Sequence, residues 1–286
     1  MLKRAVIALF ILACLLIVSI FVVGTLLSAP VPARIGAAPA DLAAQDVIIR
    51  ASDGTEIHGW WCPVPSAKGS VLLLAGVRAN RLSMVERARF LRDAGYSTLL
   101  VDLRATGETP GDHITFGWLE SRDARAAFEF MRNAQPGAPT AIIGSSLGGA
   151  ATLLADPVPP ADALVLEAVY PTLERATSNR LRKYLGPIGP SLRPFLLAQM
   201  QWRLGVKPES LRPVAHMAQV RSRILIINGD KDPNTTPDDA RQLYAAAAGP
   251  KSLWLVPNAG HVDLHSFARE DYEKRVLALL HDLAQD

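Results

Sequence analysis

One serine set between two glycines, with an aspartate and a histidine far downstream, supplies the residue types that covalent acyl chemistry needs. The serine is Ser146, in Gly144-Ser145-Ser146-Leu147-Gly148. An apolar run, Ala141-Ile142-Ile143, leads in and a helical pattern from Ala150 leads out, so the stretch reads as strand, sharp turn and helix start. Such a turn is too cramped for side chains at the flanking positions, and glycine fills both. It would lift the Ser146 hydroxyl clear of the sheet and aim the Leu147 amide at a developing oxyanion. A serine hydroxyl is a poor nucleophile near neutral pH. It needs a base, and the base needs a partner that fixes its tautomer.

Six histidines are available. In an open α/β sheet, chemistry collects at the carboxyl ends of strands. Only His261 closely follows a strand-like run, in Leu255-Val256-Pro257-Asn258-Ala259-Gly260-His261, with His265 as its one close rival. His58, His113, His216 and His281 read as surface or packing residues. For the acid, Asp230 and Asp232 both follow the run Ile224–Ile227. Asp232 is preferred, because it precedes Pro233 in a loop before a helix start at Thr236-Pro237. Asp230 reads as a turn residue and Asp263 as a loop cap. The resulting order, Ser146, Asp232, His261, differs from both the chymotrypsin and the subtilisin orders.

The elements that must position these residues follow an alternating pattern. Asp46–Arg50 and Glu56–Trp61 flank the turn Ser52-Asp53-Gly54 and read as a hairpin. Ser70–Leu74 is a continuous apolar strand, Tyr96–Asp102 the next, and 141–143, 163–166, 224–227 and 253–256 complete the set. Helical periodicity covers 81–94, 118–132, 237–248 and roughly 270–283. The alternation predicts an α/β domain over 46–286 with a mainly parallel sheet and helices on both faces. Residues 171–212 carry no strand signal. Helical pieces broken by Gly186-Pro187-Ile188-Gly189-Pro190 and Pro194 are expected there as a small cap. This segment has eight Lys and Arg against two Glu, a net +6 in a chain whose total is +3. Interleaved among the cations are Leu185, Ile188, Phe195, Leu196, Leu197, Met200 and Trp202. That mixture suits either a segment at an anionic interface or a lid packed onto the sheet.

Before the domain, no charge occurs from Ala5 to Leu27, and Lys3 and Arg4 precede the run. A helix rising about 1.5 Å per residue over that length spans a hydrocarbon core of about 30 Å. The run exceeds a signal-peptide apolar region of about 7–15 residues, and Pro30 disfavours cleavage near Ser28-Ala29. The expectation is a single-pass anchor, with a cleaved signal as the alternative: residues 1–4 cytoplasmic, 5–27 in the membrane, 28–45 a linker rich in Pro, Ala and Gly, and the domain on the non-cytoplasmic side. Ile11-Leu12-Ala13-Cys14 loosely matches a lipobox, but the apolar stretch continues past Cys14 where a lipoprotein would turn polar. With Cys14 in this span and Cys62 the only other cysteine, no disulfide can form within the domain.

The sequence from about Asp46 to Leu283 resembles the α/β-hydrolase superfamily, most closely its serine aminopeptidase-like and Bem46-like membrane-anchored branch. Beyond the serine turn the matching stretches are Asp102–Glu108, Gly229–Asp232 and Gly260–Leu264. The resemblance implies the Ser-Asp-His order already derived, with the Val77 amide as a second oxyanion donor. Two positions depart from it: Ala75-Gly76 stands where many relatives have His-Gly, and Arg104-Ala105-Thr106-Gly107 where they have Arg-Gly-His-Gly. The expected activity is hydrolysis of a carboxylic ester or thioester through an acyl-enzyme. The alternatives are amide hydrolysis by the same residues and a non-catalytic binding module. No cofactor, metal or nucleic-acid partner is expected. The expected partners are a small or lipid-like acyl substrate and the membrane.

Overall fold

The computed structural model describes residues 1–283. Eight strands form one sheet: β1 (Gln45–Arg50), β2 (Glu56–Cys62), β3 (Ser70–Leu74), β4 (Ser97–Val101), β5 (Thr140–Ser145), β6 (Ala163–Glu167), β7 (Arg223–Gly229) and β8 (Lys251–Val256). Their order across the sheet is β1-β2-β4-β3-β5-β6-β7-β8. The β1–β2 hairpin and the β2–β4 pairing are antiparallel, and every pairing from β4 to β8 is parallel.

Each parallel strand is apolar on both faces, and its residues divide by parity. Val71 and Leu73 of β3 join Leu100, Ile143, Val165 and Ile227 beneath α2 (Val85–Asp93) and α11 (Arg269–Leu283). Leu72 and Leu74 join Leu99, Ile142, Leu164 and Ile226 against α3 (Glu120–Ala134), α4 (Leu147–Leu154) and α9 (Pro237–Ala246). Covering both faces is what permits an apolar strand with no polar alternation. Because β3 lies between β4 and β5, the chain reverses winding direction beside β3, and a crevice opens at the carboxyl ends of β3 and β5.

The cap is built from α5 (Leu173–Leu185), a 3₁₀ stretch Gly186–Leu192, α6 (Arg193–Ala198) and α7 (Met200–Leu204), and α8 (Pro213–His216) leads back toward β7. Its apolar residues split between two environments. Leu197 and Met200 are buried with Leu173, Val206 and Leu211, whereas Ile188, Trp202 and Phe195 are 77%, 65% and 62% exposed.

At the amino end, α1 (Leu2–Ser28) is a single helix long and apolar enough to cross a membrane. The segment expected as a linker is docked rather than loose. Val31 and Pro32 pair in parallel with Thr106 and Gly107, and Val31 N donates to Ala105 O at 2.7 Å. Ile114 N donates to Ser28 O at 2.9 Å, Ile35 N to Glu108 Oε1 at 3.1 Å, and Leu42 is fully buried. Composition rich in Pro and Ala allows extended backbone, and here an edge of the domain satisfies that backbone's hydrogen bonds.

Candidate active site

Ser146 lies between β5 and α4 with φ 46° and ψ −105°, a left-handed conformation that a non-glycine residue holds only where its surroundings enforce it. Here Ser146 N donates to Glu167 O at 2.7 Å on one side, and Ser146 O accepts from Ala150 N at 3.0 Å on the other. The flanking glycines are steric necessities. A Cβ at Gly144 would sit 2.5 Å from Gly149 N, and one at Gly148 would sit 2.4 Å from Leu74 O. The first amides of α4, Leu147 among them, have no acceptor within the helix and carry its positive dipole end.

The loop after β3 closes over the same point. A Cβ built on Gly76 would lie 3.7 Å from Ser146 Cβ, and Val77, Ser146 and Leu147 line one cavity. Ala75 stands where the resemblance has a histidine, and a different device holds this loop. Asp102, at the end of β4, accepts from the Arg81 backbone amide at 2.8 Å, from Arg81 Nη1 at 2.6 Å and from Glu108 N at 2.9 Å. Arg81 also pairs with Glu108 and stacks 4.7 Å over the Trp60 ring. Gly107 follows from this cluster: its φ is +55°, and a Cβ there would fall 2.2 Å from Asp102 Oδ2.

Asp232 is fully buried three residues beyond β7, and His261 follows β8 at the same edge of the sheet. His261 Nδ1 meets Asp232 Oδ2 at 2.7 Å, while Asp232 Oδ1 accepts from Asn234 N at 2.7 Å and Thr235 N at 3.0 Å. With Nδ1 bonded to the carboxylate, Nε2 is left as the nitrogen that can take a proton. The competing residues are placed elsewhere. Asp230 is exposed. Asp263 caps α10 (Leu264–Phe267) through Ser266 N and is held at 3.0 Å by Arg87 Nη2. Burial raises the Asp263 carboxyl, but bonding to Arg87 outweighs this and holds it below its ordinary value. His265 is buried, with Nε2 at 2.9 Å from Glu273 and its ring stacked on Phe90. It is a core histidine. Burial also pushes the Cys62 thiol up to about 11. Among the described residues, no group of three or more His, Cys, Asp and Glu is placed to hold a metal ion.

Two features escaped the reading of the sequence. Arg87, on a face of α2 that looks polar in sequence, is buried beneath the β5–β6 edge, where it bonds Glu167 at 2.7 Å and 2.9 Å and lies 5.3 Å over Tyr272. Tyr272 also donates to Glu167, whose backbone carbonyl receives the Ser146 amide. This cluster therefore braces the serine turn from below. The second is Tyr170, which lines the cavity and donates to Phe116 O at 2.9 Å; burial raises its phenol, so it stays a neutral donor. The only local signals were a glutamate ending an apolar strand and a tyrosine at the cap's start.

A mainly parallel eight-stranded sheet, with a strained serine after its fifth strand and an Asp–His pair after its seventh and eighth, defines a class of α/β enzyme scaffold. The chain belongs to the alpha/beta hydrolase family, whose model matches residues 57–276. An uncharacterized protein of Mycobacterium tuberculosis is 32% identical over 239 residues, covering 82% of this chain and 77% of that protein. The alpha/beta hydrolase domain-containing protein WAV2 of Arabidopsis thaliana is 25% identical over 272 residues, covering 89% and 82%. Among solved structures, an esterase of Pyrococcus furiosus shares the fold with a TM-score of 0.74 at 21% identity, covering 90% of this chain and 98% of that one.

Proposed function

We propose that this protein is a serine hydrolase that cleaves carboxylic esters or thioesters through an acyl-enzyme. The observation that carries this is the Asp232–His261 bond of 2.7 Å, at the same edge of the sheet as a serine held at φ 46°. In the first half-reaction Ser146 Oγ attacks the substrate carbonyl carbon and its proton passes to His261 Nε2. The buried Asp232 carboxylate steadies the imidazolium. The carbonyl oxygen becomes an oxyanion that the amides of Leu147 and Val77 receive, each such donor being worth about 10²–10³ in rate. Collapse expels the alcohol or thiol, which takes the proton from His261. Water then repeats the sequence on the acyl-serine and releases the acid. The largely apolar lining of the cavity beside Ser146 supports an acyl group as the recognised part.

The membrane reading belongs to the same proposal. α1 anchors the chain, with Lys3 and Arg4 inside and the domain outside.

The deciding experiment is labelling of the detergent-solubilised full chain with a fluorophosphonate, which reports an activated serine without knowledge of the substrate. Wild type is expected to label and Ser146→Ala to be silent. A folded wild type that does not label would favour a binding module, and a labelled Ser146→Ala would move the nucleophile elsewhere.

A further inference from the structure

α1 touches the domain along one stripe. Its described side chains up to Ser19 are exposed, and in its second half the shielded positions are Ile20, Gly24 and Ser28, each one helical turn from the next. The cap meets that stripe directly. Gln199 Nε2 donates to Ile20 O at 3.1 Å, Arg203 Nη1 donates to Phe21 O at 3.0 Å, and Trp202 stacks on Phe21 with 5.9 Å between centroids. From the oxyanion loop, Arg78 Nη1 donates to Leu26 O at 3.0 Å. Gly24 is what lets cap and helix approach: a Cβ there would lie 2.4 Å from Oε1 of Gln199, a buried side chain also bonded to Arg203.

The cavity at the nucleophile lies in this junction. It holds about 390 Å³, and Val23, Gly24, Leu27 and Ser28 of α1 line it together with Ser146 and Leu147. Leu197 and Met200 of the cap line it as well. With α1 seated in lipid, as proposed above, a cavity it helps to wall opens beside the bilayer surface. The exposed Ile188, Phe195 and Trp202 of the cap, interleaved with Arg193 and Arg203, suit the same surface.

Building on the hydrolase reading above, we infer that the last two turns of α1 are part of the acyl-binding site, and that the substrate is a bilayer-resident acyl ester or thioester. Its chain passes between α1 and the cap into the cavity. The physical advantage is that the chain never crosses water. Transfer from lipid to an apolar cavity leaves its hydration unchanged, whereas a cavity opening only to water would require the chain to be hydrated on the way. A scaffold acting on small soluble esters has no need of a wall that exists only where the membrane helix does.

The test uses the wild-type full chain in lipid nanodiscs and an alkyl fluorophosphonate of about ten carbons carrying a diazirine at its far end. After phosphonylation and illumination, mass spectrometry reads where the chain end lies. Crosslinks within 20–28 are expected. Phosphonylation of Ser146 with crosslinks confined to the sheet or to 171–212 would overturn the inference and leave the hydrolase reading intact, whereas no phosphonylation would overturn both. Kinetics give an independent arm. Gly24→Leu should lower the ratio of kcat/KM for a decanoyl over an acetyl thioester about tenfold or more, while Leu9→Ala, on the exposed part of α1, should leave that ratio alone. An unchanged ratio in a Gly24→Leu protein that still labels would also overturn the inference.

Discussion

Replacing Asp232 with Asn tests the site without disturbing the fold. The change is nearly isosteric, and Oδ1 keeps its two backbone partners, Asn234 N at 2.7 Å and Thr235 N at 3.0 Å. The alteration is confined to the position of Oδ2, where an acceptor 2.7 Å from His261 Nδ1 becomes an NH₂ donor. A donor there selects the tautomer with Nδ1 unprotonated and Nε2 carrying hydrogen. Nε2 then has no lone pair for the Ser146 proton, and nothing balances the imidazolium. In a serine protease the corresponding substitution lowers kcat about 10⁴-fold. At 1.36 kcal/mol per factor of ten that is about 5 kcal/mol of transition-state stabilisation. Folding stability should change by about 1 kcal/mol or less, as one hydrogen bond is exchanged for another. Two measurements on one preparation check this: the rate of fluorophosphonate labelling against pH, and the thermal midpoint in detergent. Asp230→Asn and Asp263→Asn are the comparisons. A loss at Asp232→Asn under tenfold, or a larger loss at either comparison, would refute the reasoning.

Arg87→Met should cost roughly 3–5 kcal/mol of stability, because Glu167 stays buried without its cation; a denaturation loss under about 1 kcal/mol would show that the cluster does not brace the turn. Asp263 adds a pH dependence. Its carboxyl is lower in the folded than in the unfolded chain, where it titrates near about 3.9, so its contribution is complete above that pH and lost as pH falls through the folded value. Since that carboxylate is 42% exposed, the contribution is at most about 1 kcal/mol, and melting curves of wild type and Asp263→Asn should converge in acid. For the cap, Trp202→Phe should remove a measurable share of the quenching that brominated lipids exert on tryptophan fluorescence, as Trp60, Trp61 and Trp254 are buried and Trp118, the other exposed tryptophan, lies outside the cap; undiminished quenching would place the cap away from lipid. For orientation, protease reaching the outer face of the membrane should digest the domain, and protection would reverse the assignment.

How much of this was legible in the chain alone depends on how local each cause is. The serine turn could be read directly, because its steric demand falls on Gly144 and Gly148, two residues either side of Ser146. The parallel sheet could be read for the same reason: apolar runs at 70–74, 163–167 and 223–229 are buried on both faces, and periodicity within one strand reports that. α1 needed nothing beyond its length and composition. Asp232 and Asp230 are only two residues apart, and what separates them is the direction in which the loop turns each carboxylate. That direction is set by the Asn234 and Thr235 amides and by the arrival of His261 from another strand. Likewise the burial of Arg87 and Arg81 left no local trace, since their partners lie 80 and 21 residues away and a polar side chain looks the same whether it meets water or a distant carboxylate. The docking of α1 and its following segment was decided by tertiary structure for the same reason. Hydrophobic period is a property of neighbours along the chain, whereas the bonds from Gln199 to Ile20 and from Val31 to Ala105 join elements that meet only after the domain has folded.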